Sequence, residues 1–188
     1  MRSEPIVAEV LPGTATGEDV RDPEPDAEKA VLLAWLDEQR RHALGILDGL
    51  DEAALRRPVL PSGWSCLGMV RHLAALERFW FRAIVAGEPM VGDGLSEDDN
   101  EWRVAPDVPA AAVFAAYREA AAFSDAVITA TPLDAPPAWW PEDLFGEWRL
   151  RSLREIILHT MTETAGHAGH LDTVRELIDG RLWLVLDG

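Results

Sequence analysis

Apolar residues recur at three- and four-residue steps through most of this chain, and that spacing is typical of amphipathic α-helices. The first periodic stretch covers residues 27–50. Its apolar positions are Val31, Leu32, Trp35, Leu36, Ala43, Ile46, Leu47 and Leu50. Asp51 follows and predicts the cap of a short helical turn, EAALRR, which Pro58 stops. The pattern therefore predicts one long helix and one short turn before the next periodic stretch.

Three longer helices are predicted further along the chain. The second helix ends near residue 86, the third spans about 109–130, and the fourth runs from 152 to 179. Ser62 or Ser65 is placed to cap the second helix and Ser152 to cap the fourth, because a serine hydroxyl accepts hydrogen bonds from the first unpaired backbone N–H groups. Gly87 and Gly180 follow the last periodic residues and are typical helix terminators.

The segments outside these helices lack periodicity. Residues 1–26 are rich in Pro, Gly, Asp and Glu and predict an extended or disordered lead-in. An acidic loop over 88–108 is expected at the mouth of a site, and a connector over 131–150 carries three tryptophans. The closing RLWLVLDG is expected to pack back or to add a short strand. No stretch shows sustained strand alternation, so the predicted fold is all-α, a single four-helix bundle domain over 27–188.

Composition and charge narrow the class of function. The chain has 188 residues, of which 48% are hydrophobic, as is usual for one globular domain. Its 17 basic and 33 acidic residues give a net charge of −16, which disfavours nucleic acid and anionic membrane surfaces as partners. Cys66 is the single cysteine, and the N-terminal segment lacks the long apolar stretch of a signal peptide. Together these features predict a cytoplasmic protein.

A carboxylate and two imidazoles share one face of the fourth helix. Glu163 and His167 are four residues apart and His167 and His170 are three apart, so their side chains stack along one surface. His167 falls inside the apolar stripe of that helix, with Glu163 and His170 on its edges. His72 falls inside the apolar stripe of the second helix. The ligand types predict an open site for zinc, nickel or iron formed by His72, Glu163 and His167.

Simpler interpretations of these residues stay open. A lone inward histidine such as His72 is more often hydrogen-bonded in a core than bound to a metal. Glu163 and His167 are equally suited to a hydrogen-bonded i,i+4 pair, and His167 with His170 is a rival chelate. His170 is otherwise expected beside the ligands, as a catalytic base or a substrate-facing group. Burying Glu163 without a cation is costly, which favours the metal.

Other conspicuous side chains are assigned to packing or to solvent. His42 and His159 are expected to be solvated, and Cys66 is expected to be a small core residue. The arginines of the second helix gather on the face opposite His72; they are Arg71, Arg78 and Arg82. The connector tryptophans are expected to pack against the end of the bundle; they are Trp139, Trp140 and Trp148.

Three segments resemble a known family. SGWSCLGMVRHLAALERFWFRAIVAGE and SLREIILHTMTETAGHAGHLDTVRELIDG are similar to the second- and fourth-helix signatures of a DinB-like family of unknown function, common in actinobacteria and related to mycothiol-dependent maleylpyruvate isomerases. LAWLDEQRRHALGILDGLDEAALRRPVLPSG resembles the first helix and connector of that family, so the resemblance covers roughly residues 27–180. It implies an up-down-down-up four-helix bundle, a metal between helices two and four, and frequent homodimers.

The resemblance transfers to individual residues. The histidine of the VRHL element corresponds to His72, and the i,i+4 carboxylate and histidine of the mycothiol-dependent isomerases correspond to Glu163 and His167. Many DinB relatives have histidine in place of Glu163. The usual basic residue before the second histidine is Gly166 here, which removes one expected anchor for substrate.

The resemblance and the ligand types together imply three functions. In the first, a divalent metal holds a low-molecular-weight thiol, such as mycothiol, as a thiolate that attacks a small electrophilic substrate. In the second, the metal activates water for hydrolysis with His170 assisting. The third is a metal-binding bundle without turnover.

Overall fold

All regular secondary structure is helical in the part that the computed structural model describes, which is residues 25–90, 92, 94–95, 100 and 102–183. The α-helices are α1 (Pro25–Gly45), α2 (Glu52–Arg56), α3 (Cys66–Glu77), α4 (Ala110–Ala130), α5 (Glu142–Phe145) and α6 (Leu153–Asp179). A π-helical segment, Arg78–Val85, continues α3. No strand occurs in the described residues, so the all-α prediction is confirmed. The predicted lead-in, up to residue 24, and the tail beyond residue 183 lie outside the described residues.

Side-chain caps set the starts of three helices at the predicted residues. The side chains of Asp51, Ser65 and Ser152 each accept a hydrogen bond from the backbone N–H three residues on, at 2.8, 3.1 and 3.3 Å. Ser65, and not Ser62, therefore caps α3. Gly180 ends α6 in the left-handed conformation, with φ of 79°, which glycine adopts without a steric penalty.

The first helix differs from its prediction at both ends. It begins at Pro25, where an extended lead-in was expected, and it ends at Gly45, although the apolar periodicity continues to Leu50. Beyond Gly45 the side chain of Arg175 donates to the carbonyl oxygens of Ile46 and Asp48, at 2.8 and 2.9 Å. These bonds from α6 stabilise a turn in place of the last helical turn, and no local pattern encodes them.

The four long helices pack in pairs that enclose two apolar clusters. α1 contacts α6 and α4, and α3 contacts α4 and α6. One cluster surrounds Met69, Leu73 and Leu171, and the other surrounds Leu36 and Ile156. Each of these side chains is almost fully buried, and burial of such a side chain stabilises the native state by about 1.5–3 kcal/mol. No helix in the described part of the chain is long and apolar enough to cross a membrane.

A buried ion pair joins α1 to α3. The Arg40 guanidinium donates from Nε and Nη2 to the two carboxylate oxygens of Glu77, at 2.7 and 2.9 Å. Its Nη1 contacts Asp37 and Asp125 at 2.7 Å each, which adds a link to α4. Burial alone would lower the pKa of Arg40, but Glu77 and Asp125 raise it above its usual value. The arginine therefore stays charged and connects three helices.

Candidate functional site

The structure brings two of the predicted ligands into contact. The Nε2 atoms of His72 on α3 and His167 on α6 lie 3.2 Å apart, although the residues are 95 positions apart in the chain. Their rings are nearly perpendicular, with an interplanar angle of 87° and centroids 4.8 Å apart. Both side chains are partly buried between the helices. Each ring therefore presents one nitrogen to the same point.

Glu163 lies next to this pair but is not buried. Its Oε2 is 3.8 Å from the His167 Nε2, and 42% of its side chain is exposed, against 16% for His167. The expectation of a buried carboxylate was wrong, because Glu163 lies at the rim of the stripe where solvent reaches it. Its carboxylate can be hydrated, so burial cost is no argument for a cation here.

The histidine pair fits a divalent ion better than the complete predicted trio does. Two nitrogens bound to one tetrahedral ion at about 2.0–2.1 Å lie about 3.3 Å apart. The 3.2 Å between the two Nε2 atoms matches this value, whereas the 3.8 Å to Glu163 exceeds it. Within the described residues no group of three or more His, Cys, Asp or Glu side chains is arranged to hold a metal.

An indole from the acidic loop covers the His72 ring. Trp102 stacks on His72 with ring centroids 3.9 Å apart and an interplanar angle of 15°. It also meets the His167 ring edge to face, at 5.9 Å. Sequence reasoning placed this loop at the mouth of a site but did not single out Trp102. The signal was an isolated tryptophan in an acidic, glycine-containing loop, which has no apolar periodicity to explain it.

Two residues of α3 hold the loop that carries Trp102. A Cβ atom on Gly68 would lie 2.2 Å from the Trp102 carbonyl oxygen, so only glycine allows this approach. Arg71 donates to the carbonyl oxygens of Asn100, at 2.6 Å, and Arg103. Arg71, which was placed with Arg78 and Arg82 on the face opposite His72, is 6% exposed. Its guanidinium is buried because the loop folds over it.

His170 lies outside the histidine contact. It is exposed on α6, and its ring centroid is 5.8 Å from that of His167. A position beside the ligands suits a group that exchanges protons with solvent or substrate. Its catalytic role stays a prediction.

The two histidines that were expected to be solvated are both packed. His159 contacts Trp80 and Trp148, with ring centroids 4.7 and 5.4 Å away. Burial lowers the pKa of His159, and the charge of Glu163 partly opposes this. His42 hydrogen-bonds Asp172 at 2.8 Å and stacks on Trp183, so its ring is also shielded. Neither burial follows from position on a helical wheel, because partners distant in sequence create it: Asp172 for His42, and Trp80 for His159.

The remaining predictions for aromatic and thiol groups fare differently. Trp140 is buried and packs on Trp80, and Trp148 also packs on Trp80 although it is 45% exposed, so both follow the packing prediction. Trp139 is 48% exposed. Cys66 is fully buried, and burial raises the pKa of its thiol to about 11. A thiol that is buried and protonated at neutral pH is a poor nucleophile, so the chain supplies no reactive sulfur of its own at this position.

Comparison with known proteins identifies the family. The family model described as mycothiol-S-transferase matches residues 31–180, which include both histidine helices and the loop bearing Trp102. No curated protein matches the chain. The match covers most of the sequence and confirms the resemblance to DinB-like proteins related to mycothiol-dependent enzymes. With its two facing histidines on α3 and α6, this chain belongs to the mycothiol-S-transferase family.

Proposed function

We propose that the protein joins mycothiol, through its sulfur, to a small electrophilic substrate, using a divalent ion held by His72, His167 and Glu163; the thiol loses its proton as the new S–C bond forms. The observation that carries the proposal is the 3.2 Å approach of the two imidazole Nε2 atoms, in a chain that belongs to this family. Two helices have to be placed accurately to produce that approach. The buried Arg40–Glu77 pair contributes to this placement because it fixes one end of α3.

Each ligand has a distinct part in holding the ion. The histidines would bind the ion as neutral imidazoles through Nε2, which is the atom each presents to the other. Glu163 would add a negative charge from the exposed side of the pair. When bound, the ion supplies the positive charge that keeps a nearby thiol in its nucleophilic thiolate form.

The loop around Trp102 controls access to the site. The indole covers one face of His72, which narrows the routes by which water and substrate reach the histidine pair. Arg71 and Gly68 fix the backbone of this loop, and the ring is therefore positioned before substrate arrives. A preformed aromatic wall excludes water from the reacting sulfur and so slows the competing hydrolysis of the electrophilic substrate.

His170 is the proton-exchanging group in this proposal. It is exposed and lies one helical turn from His167, which is suitable for passing the thiol proton to solvent. The chain offers no sulfur nucleophile of its own in its place, because Cys66 is buried. The attacking sulfur is therefore that of the small thiol.

We also propose the up-down-down-up bundle topology of DinB-like proteins. Three sets of contacts support it. Between α1 and α6 they are Glu28–Arg154 and His42–Asp172. Between α3 with its π-helical continuation and α6 they are His72–His167 and Trp80–His159, and between α1 and α4 they are Lys29–Thr129 and Arg40–Asp125. Residue numbers rise together in the first set, which favours a parallel α1–α6 pair. They run in opposite directions in the other two, which favours antiparallel pairs.

Metal analysis of purified protein and two variants tests the proposed function. Protein made without nickel resin or chelators should contain about one divalent ion per chain, and His72→Ala and His167→Ala should both lose it. His42→Ala is the matched control, because His42 is also partly buried but lies away from the pair. Transfer of mycothiol to 1-chloro-2,4-dinitrobenzene, followed by absorbance, should disappear in the first two variants only. Full metal content in both site variants, or unchanged transfer, would contradict the proposal.

A further inference from the structure

A pocket of about 510 Å³ lies beside the histidine pair. It opens between the connector that precedes α3 and the loop that follows the π-helical segment. The residues that line it are Ser62, Gly63, Trp64, Asn100, Trp102 and Arg103. Asn100, Trp102 and Arg103 belong to the acidic loop that was expected at the mouth of a site, and Ser62 was a candidate cap.

The pocket and the histidine pair share one side chain. Trp102 lines the pocket and also stacks on the His72 ring at 3.9 Å. A molecule bound in the pocket is therefore separated from the proposed metal ligands by no more than one indole ring. Arg71 fixes both sides of this wall, because it binds the backbone carbonyls of Asn100 and Arg103.

The pocket lining has the chemistry of a sugar-binding site. Two indole rings offer flat apolar faces for the C–H groups of a pyranose or cyclitol ring. The Arg103 guanidinium, the Asn100 amide NH2 and the Ser62 hydroxyl are groups that can donate to ring hydroxyls, while the Asn100 Oδ1 accepts from the Trp102 backbone N–H at 3.0 Å. Although the chain carries a net charge of −16, none of the described lining residues is acidic. A pocket of this size accommodates a small ligand with a polyhydroxylated body.

We infer that this pocket binds the polyhydroxylated body of the thiol, so that the sulfur extends past Trp102 toward His72 and His167. The inference rests on the proposed function, since it assumes that a sugar-bearing thiol is the sulfur donor. The pocket also supplies an anchor for the thiol, which Gly166 cannot do in place of the basic residue usual in DinB-like proteins. Binding energy from the sugar body then positions a sulfur that makes few contacts itself.

The test separates sugar binding from chemistry. The probe is glucosaminyl-inositol, which is mycothiol without its N-acetylcysteinyl group, titrated calorimetrically into the full-length protein. Arg103→Ala should weaken probe binding about tenfold, because it removes a hydrogen bond whose donor is charged. Arg103 is exposed, and the bond from Arg71 goes to its backbone carbonyl, which Arg103→Ala retains. Ser62→Ala, also at an exposed position, should weaken binding less. Arg118→Ala is the control, because Arg118 is an exposed arginine on α4 outside the pocket lining.

Steady-state kinetics give a second readout. Arg103→Ala should raise the KM for mycothiol about tenfold and leave kcat and the KM for the electrophile within about twofold, since it removes binding that is equal in ground and transition states. Wild-type protein that binds no probe at millimolar concentration, or Arg103→Ala and Ser62→Ala that bind it normally, would overturn the inference. If the probe binds but mycothiol transfer is absent, the proposed function fails and the sugar site stands. If transfer occurs without probe binding, the reverse holds.

Discussion

Replacing Glu77 by leucine is expected to lower the free energy of unfolding by about 3 kcal/mol. Glu77 is 1% exposed and Arg40 5%, so the guanidinium would lose two charge-assisted hydrogen bonds without gaining water. Removing one partner of a buried ion pair costs about 3–5 kcal/mol. The lower end applies here, because Asp37 and Asp125 stay within 2.7 Å of Arg40.

Arg40 cannot escape this cost by losing its proton. The pKa of Arg40 is raised by its carboxylate neighbours, and an arginine without Glu77 still titrates far above neutral pH. The positive charge of Arg40 stays in the interior, and its remaining partners, Asp37 and Asp125, lie on the solvent side of the guanidinium. The end of α3 that Glu77 occupies should therefore loosen first.

Chemical denaturation in urea, followed by circular dichroism, measures this loss. The midpoint should fall with an unchanged slope, and the melting temperature should fall by about 6–12 °C for a chain of this size. The double variant Arg40→Met, Glu77→Leu should recover most of the stability, because an apolar pair of similar volume needs no desolvation of charge. Asp125 and Asp37 tolerate the loss of Arg40, since 40% and 52% of their side chains are exposed.

The matched control is Glu38→Leu. Glu38 pairs with Arg41, but their side chains are 45% and 70% exposed, so this substitution should change stability by less than about 1 kcal/mol. The reasoning is refuted if Glu77→Leu costs no more than the control. It is also refuted if the loss of unfolding free energy in the double variant equals the sum of the losses in Arg40→Met and Glu77→Leu alone, because the pair would then have no coupling energy.

Three further predictions concern the site and its surroundings. Glu163→Gln should weaken zinc binding more than His170→Ala does, because an amide is a poor ligand and His170 lies outside the contact between His72 and His167. Calorimetric titration with zinc measures both effects, and a larger loss for His170→Ala would identify His167 and His170 as the chelate. Cys66 should resist Ellman's reagent at about pH 8 until the protein unfolds, because burial raises its pKa to about 11; rapid labelling of native protein would contradict its burial. His159→Gln should reduce the loss of melting temperature between about pH 7 and pH 5. Burial lowers the pKa of His159, so the unfolded chain takes up a proton that the native state resists. The stability of the wild type therefore falls as the pH drops through the unfolded pKa of 6.5, and an equal dependence of melting temperature on pH in the variant would refute this.

Local rules made the helices predictable. The caps at Asp51, Ser65 and Ser152 and the terminator Gly180 act within one helical turn, so the residues nearby suffice to place them. The periodicity of α6 likewise placed His167 inside its apolar stripe. Where a distant side chain replaced a local hydrogen bond, as Arg175 does beyond Gly45, the predicted end was wrong.

The candidate site divides in the same way. The sequence by itself determined which helices carry the histidines and which way they face, because facing follows from the 100° step of a helix. Only the tertiary structure decided that two Nε2 atoms lie 3.2 Å apart, that Glu163 stays exposed, and that Trp102 covers His72. These features depend on how helices far apart in sequence pack and where a loop folds back. Such contacts are set by the packing of the whole core, and no spacing within one segment records them.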